Sequence, residues 1–320
     1  MLTHFSTATL VSCLFSAVSP EIVSVQKIWD RAPHNAFTDL IRFRGRWWCT
    51  FRQGLAHAGD TGKVSVIVSD DGVKWESAAL LTQDGIDLRD PKLSLMPDGR
   101  LMLIMGGSVY DHQGTYQTRS PRVAFSPDSY DWTEPRKLLA EDHWLWRVTW
   151  QEGWAWSVSK LGEGRYPRRG MLYRSRDALN WEWVTEFLLP NDTWNASETT
   201  LRFLPDGMMI ALTRPHWIGT TASPPYTNWS WTKTKTDIGG PNFIRLPDGS
   251  LWAAGRCYGE RSTTVLAYME RDRYEPVLTL PSDGDCSYPG LVWHEDLLWM
   301  SYYSSHEGKI SIHLAKIKIK

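Results

Sequence analysis

Four cations recur at one repeat position of this 320-residue chain. Arg52, Lys160, Arg214 and Arg256 each stand seven residues beyond a turn residue, at Gly45, Gly153, Gly207 and Gly249. The same place reads Gly106 after Gly99 and Tyr303 after Asp296. Cations at equivalent positions of a repeat converge on whatever the repeats surround, and a ring of them calls for an anionic ligand. Nine residues before the six turns stand Ala36, Asp90, Trp144, Glu198, Gly240 and Ser287, so two carboxylates share the ring.

A repeated hairpin is what would position such a ring. Leu95-Met96-Pro97-Asp98-Gly99-Arg100-Leu101-Met102, Phe203-Leu204-Pro205-Asp206-Gly207-Met208-Met209-Ile210 and Arg245-Leu246-Pro247-Asp248-Gly249-Ser250-Leu251-Trp252 each read strand, Asp-Gly turn, strand. That is a strong short-range hairpin signal. Three degenerate copies turn at Arg44-Gly45, Glu152-Gly153 and Glu295-Asp296. The steps between the six turns are 54, 54, 54, 42 and 47 residues, the length of one four-stranded propeller blade. Apolar runs such as residues 63–68 and 100–105 are too short for ordinary helices. The spacing therefore predicts an all-β chain with one six-bladed β-propeller over residues 20–320. In that fold each blade's first strand lines the axis and its second returns to the same face, which makes the positions flanking the turns neighbours.

A second repeat, Ser-x-Asp-x-x-x-Trp, runs through Ser69, Asp71 and Trp75, then Ser126, Asp128 and Trp132, then Ser175, Asp177 and Trp181. Its Asp suits a tight turn whose backbone N–H groups it accepts, and its Trp packs between sheets. The pattern resembles the Asp box of sialidases, a structural motif on the face away from catalysis. Glu198-Thr199-Thr200-Leu201-Arg202-Phe203-Leu204-Pro205-Asp206-Gly207, with Arg214, is similar to the sialidase segment bearing the catalytic Glu and one arginine of a carboxylate-binding triad. Arg256 resembles the next triad arginine. Cys286-Ser287-Tyr288-Pro289-Gly290-Leu291-Val292 resembles the segment with the nucleophilic tyrosine, and Arg52 the arginine near the acid/base loop.

The resemblance implies a glycosidase like the exo-α-sialidases, acting on a glycan with a terminal acidic sugar. A 2-keto sugar acid carries a carboxylate on its anomeric carbon and would repel a carboxylate nucleophile. A neutral Tyr288 avoids this if Glu198 takes its proton. The general acid belongs on the glycine-rich loop 53–62, as Asp60 or else His57. Asp90 would orient arginines or contact substrate, and Arg147 would serve the site or stack on indole faces. One departure stands out: where sialidases open the first blade with Arg-Ile-Pro, this chain has Asn35-Ala36-Phe37. Another 2-keto-3-deoxy acid or a uronate could then replace sialic acid. A glycosidase or lyase using Asp90 and Glu198 as a carboxylate pair stays open, because Arg89-Asp90-Pro91 resembles five-bladed furanosidases. So does a non-catalytic carbohydrate-binding propeller.

Composition narrows the partners. Thirty-five basic and 36 acidic side chains nearly cancel, and with no basic block neither nucleic acid nor an anionic membrane is expected. The four cysteines have neither metal-ligand nor disulfide spacing, and no cofactor or metal is expected. Most of the 19 tryptophans should pack between sheets. Residues 1–19 admit two readings: a signal peptide ending near Ala17-Val18-Ser19, which would export the chain, or a disordered N-terminus on a cytoplasmic one.

Overall fold

The computed structural model describes residues 19–162, 168–190 and 196–320, so the leader expected over residues 1–19 falls almost wholly outside them. Every regular element described is a strand, and the strands form six antiparallel sheets that follow one another along the chain. No helix among the described residues is long and apolar enough to cross a membrane.

Blade 1 pairs His34–Phe43, Arg46–Gly54, Lys63–Ser69 and Glu76–Leu81 in that order. Blade 2 follows with Asp87–Leu95, Leu101–Tyr110, Tyr116–Ser126 and Arg136–Lys137. In blade 3 the inner strand is broken into His143–Leu145 and Thr149–Gln151, both paired with Trp154–Leu161; Arg169–Ser175 and Glu182–Glu186 complete it. Blade 4 comprises Thr199–Phe203, Met209–Thr213, Trp217–Thr221 and Ser230–Lys233, and blade 5 Ile238–Arg245, Leu251–Cys257, Thr263–Met269 and Tyr274–Thr279. Blade 6 takes Ser287–His294, Leu297–Ser304 and Ser311–Lys318 from the C-terminal end. Its outer strand, Glu21–Trp29, comes from the other end of the chain and closes the ring.

All six expected hairpins are present, but they are of two kinds. Arg44-Gly45, Glu152-Gly153 and Glu295-Asp296 are two-residue loops with positive φ at both positions, the turn whose twist matches paired strands. The Pro-Asp-Gly loops hold three residues, between Met96 and Arg100, Leu204 and Met208, and Leu246 and Ser250. The one-residue difference matters at the far end of the inner strand. There the pairing is interrupted between Ala36 and Asp39, Arg89 and Lys92, Gly239 and Asn242, and Ser287 and Gly290. Each interruption is a bulge opened by a left-handed residue: Phe37 (φ 65°), Asp90 (51°), Gly240 (57°) and Tyr288 (53°). Bulges re-aim side chains beside functional sites, and non-glycine residues with positive φ are uncommon enough to mark them. Counting nine residues back from every turn mixes two frames. The equivalents of Asp90 and Gly240 are Phe37 and Tyr288, not Ala36 and Ser287.

Beneath the bulges a polar hub ties the blades across the axis. Arg147 Nη1 donates to Asp39 Oδ1 (2.7 Å) and Nη2 to the Pro289 carbonyl (3.2 Å), which also accepts from Asn242 Nδ2 (3.0 Å). Asp39 Oδ2 accepts from Leu93 N (2.8 Å), and Lys92 Nζ donates to the Thr38 carbonyl (3.1 Å). Arg202 Nη2 reaches Asn242 Oδ1 (3.1 Å). Arg147, Lys92, Asp39 and Asn242 are all buried. Most of their polar groups are therefore satisfied by one another and by strand backbone groups, while Arg147 Nε is buried without a partner.

On the rim, Asp71, Asp128 and Asp177 accept the backbone N–H groups two and three residues on, and Ser69, Ser126 and Ser175 bond the same aspartates. Hydrogen bonds from Lys74 and Val73 hold Asp71 down at about 2. Blade 4 has a fourth such turn without the aspartate: Trp229 Nε1 donates to the carbonyl of left-handed Tyr226, as Trp132 does to Ser129 and Trp181 to Ala178.

Candidate active site

The bulges open onto a cavity of about 330 Å³ at the axis. Tyr288 and Glu198 meet on its wall: Tyr288 Oη donates to Glu198 Oε1 at 2.8 Å. Arg214 Nη1 donates to both carboxylate oxygens (3.0 and 3.2 Å), and the Gly240 N–H to Oε2 (3.0 Å). Burial raises the Glu198 pKa, but the charges of Arg214 and Lys160 and the hydrogen bonds from Tyr288 and Gly240 outweigh it and hold the group at about 2. Burial and the Glu198 charge push the Tyr288 phenol well above its ordinary value. Gly240 is required here. A Cβ on it would lie 2.7 Å from the Tyr288 ring, and its φ of +57° is strained for any L side chain.

Asp90 enters from the blade 2 bulge. It is buried, its Oδ1 has no hydrogen-bond partner, and Oδ2 lies 3.5 Å from Arg89 Nε. Burial raises its pKa despite the opposing charges of Arg89 and Lys92. The cavity thus pairs a carboxylate held ionised with one pushed toward its neutral form. Four cations, Arg89, Arg119, Lys160 and Arg214, line the cavity against these two carboxylates. The aromatic wall includes Trp144 and Trp146. Trp144 also explains the missing cation of blade 2, since any Cβ at Gly106 would meet its ring at 2.5 Å.

The ring of cations expected from the repeat divides. Lys160 and Arg214 line the cavity; Arg52 and Arg256 do not. Arg52 is fully buried and committed to Asp87 (2.7 Å), the Ala56 carbonyl (2.7 Å) and Asp60. Asp60 in turn accepts the Leu55 N–H, so the expected acid/base residue instead staples its own loop to Arg52. Arg256 stands behind Tyr288, 5.5 Å from its ring, and donates to Asp285 (3.1 Å), Tyr303 Oη (2.8 Å) and the Cys286 carbonyl. Arg147 belongs to the hub. Arg52 has no exposed surface, and Arg147 is buried with both Nη groups engaged in the hub.

His57 does reach the cavity. Its Nδ1 lies 2.8 Å from Asp285 Oδ2, which also meets His34 Nε2 at 3.0 Å. Asp285 Oδ1 accepts from Tyr303 Oη at 2.7 Å. Burial raises the Asp285 pKa, yet His34, His57 and Tyr303 together hold it well below the usual carboxylate range. Sequence reasoning passed over Asp285, Arg89 and Arg119. Arg89 could have been found as the residue opposite the blade 2 return, at Gly106. Arg119 lies on a third strand, which no repeat position flags.

No family model and no curated protein matches the sequence. Solved structures do match. A Dyadobacter fermentans protein of unknown function superposes with a TM-score of 0.82 at 17% identity, covering 94% of this chain and 100% of that one. An α-L-arabinofuranosidase of Fusarium graminearum gives 0.71 at 14% identity, covering 93% and 98%. Trypanosoma rangeli sialidase, solved with sialic acid, gives 0.66 at 9% identity; 94% of this chain matches 57% of that one. The chain thus has the six-bladed propeller fold that sialidases and this arabinofuranosidase share.

Proposed function

We propose that the protein is a retaining glycosidase that removes a terminal acidic sugar, with Tyr288 as nucleophile and Glu198 as its base. The observation that carries this reading is the 2.8 Å hydrogen bond from Tyr288 Oη to Glu198 Oε1, in a cavity whose cations outnumber its carboxylates. Tyr288 Oη attacks the anomeric carbon and its proton passes to Glu198, while His57, oriented by Asp285, protonates the departing glycosidic oxygen. A water that gives its proton back to His57 then displaces Tyr288, and Glu198 returns the first proton to the phenolate.

A carboxylate held at about 2 is a weak base while Arg214 clamps it. A substrate carboxylate that draws Arg214 and Lys160 onto itself raises the basicity of Glu198 just when the phenol must ionise. A neutral sugar does not. This favours 2-keto sugar acids, sialic acid among them, ahead of uronates, because only the former place the charge on the anomeric carbon.

The test is hydrolysis of aryl glycosides of sialic acid, 2-keto-3-deoxy-octonate and uronic acids. The protein should turn over one of the 2-keto acids, and Tyr288→Phe should lose roughly 10³-fold or more. Undiminished turnover in that variant would remove the tyrosine from the mechanism. A second reading rests on Asp90, whose raised pKa beside ionised Glu198 is the split that a carboxylate-pair glycosidase or lyase uses. Activity that survives Tyr288→Phe and is abolished by Asp90→Asn would favour it. Binding of acidic sugars with no hydrolysis by any variant would mark a carbohydrate-binding propeller.

A further inference from the structure

A second cluster of ligating side chains lies outside the cavity, at the seam where the ring closes. His306 and Glu307 stand in the turn between Leu297–Ser304 and Ser311–Lys318 of blade 6, and His313 on the second of these strands. One ring nitrogen from each histidine and one oxygen of Glu307 lie within 4.8 Å of one another. We propose that His306, His313 and Glu307 form a binding site for a divalent zinc-type cation that pins this turn to the strand following it, beside the closing seam.

The histidines are prepared for this in different ways. His313 is 1% exposed, and its Nε2 is buried without a hydrogen-bond partner. A buried orphan nitrogen costs free energy unless something fills its lone pair. Its ring is held in place by stacking on Tyr302, 5.4 Å between centroids and 24° between planes. His306 is exposed, but its Nδ1 lies 2.9 Å from Ser304 Oγ. That contact fixes the ring and leaves Nε2 to coordinate, the usual arrangement for a metal-binding imidazole.

Two imidazoles and one carboxylate suit zinc and its neighbours better than calcium or magnesium, which take all-oxygen sets. Bonds of about 2.0–2.2 Å bring ligand atoms within roughly 4 Å of each other. The 4.8 Å spread therefore closes with a small rotation of Glu307 or His306, both on the surface. Glu307 now pairs with Lys27 Nζ at 3.2 Å. Lys27 lies on the N-terminal closing strand, directly opposite His313. A bound cation takes over the charge of Glu307 in place of Lys27 and ties the turn to His313 on the strand that follows it.

The experiment titrates the full chain, stripped with chelator, with zinc chloride by calorimetry and thermal unfolding. Calcium and magnesium serve as hard-cation controls. One equivalent of zinc should bind with micromolar affinity, and at a hundredfold excess over Kd the melting temperature should rise by about 4 °C. His313→Phe keeps the stack on Tyr302 and should weaken binding roughly tenfold or more, as should His306→Ala. Absence of one-to-one zinc binding below about 100 μM overturns the site. So does binding that survives both variants but is lost in His57→Ala, which would place the ion on His34, His57 and Asp285. Neither result bears on whether Tyr288 and Glu198 act as a nucleophile pair.

Discussion

Glu198 sets burial against its partners, and the partners prevail. Its folded pKa of about 2 lies below the ordinary 4.5, so its contribution to stability is complete above pH 4.5 and disappears as the pH falls through about 2. The gap corresponds to on the order of 3 kcal/mol. Glu198→Gln should therefore be less stable than the parent at pH 7, and the difference should shrink steadily between pH 4.5 and 2. Urea unfolding at several pH values measures this; a difference independent of pH would show that the fold does not depress the group. Glu198 and Arg214 stood out in the sequence because each combines a repeat position with a sialidase-like motif; Tyr288 stood out by the motif alone, since the repeat count falls on Ser287. Arg52, Asp60 and Arg147 show the limit. Residue type declares that a side chain can bind an anion or move a proton, but not whether Asp87, Leu55 N–H or Asp39 already occupies it.

At the scale of elements, the six hairpins were legible because Asp-Gly and related turns announce themselves within a few residues. The bulges were not. Their signal is a left-handed residue before Pro91, Pro241 and Pro289, with Thr38 standing in at blade 1, and nothing in the types Phe, Asp, Gly and Tyr unites them. Gly240 tests their importance. Gly240→Ala should cost about 1–2 kcal/mol in backbone strain alone. It should also displace the Tyr288 ring, so kcat should fall by more than the loss of folded protein explains. Thermal unfolding and turnover measured side by side separate the two effects; equal losses would reduce Gly240 to a turn residue.

For the whole molecule, closure rests on an antiparallel seam between the two ends of the described chain, with Val25 opposite Ala315. Alternate N–H groups of this outer strand face its partner, so of Val25→Pro and Gln26→Pro one removes a ladder N–H there. That variant should cost roughly 1–3 kcal/mol, lowering the melting temperature by about 2–5 °C, and an unchanged melting curve in both would mean that the seam is not holding the ring. The blade count was legible from turn spacing alone. The seam was not, because residues 21–29 carry no hairpin or box to declare themselves a blade's fourth strand. The hub under the bulges has a consequence of its own. With Arg147, Lys92, Asp39 and Asn242 packed across the axis, the propeller is a blind well rather than a tunnel. A polymer cannot be threaded through it, and whatever the cavity accepts must leave by the mouth through which it entered. If the cavity acts on glycans as proposed, each event then begins at a chain end, and a departing fragment competes with the next arrival for the same doorway.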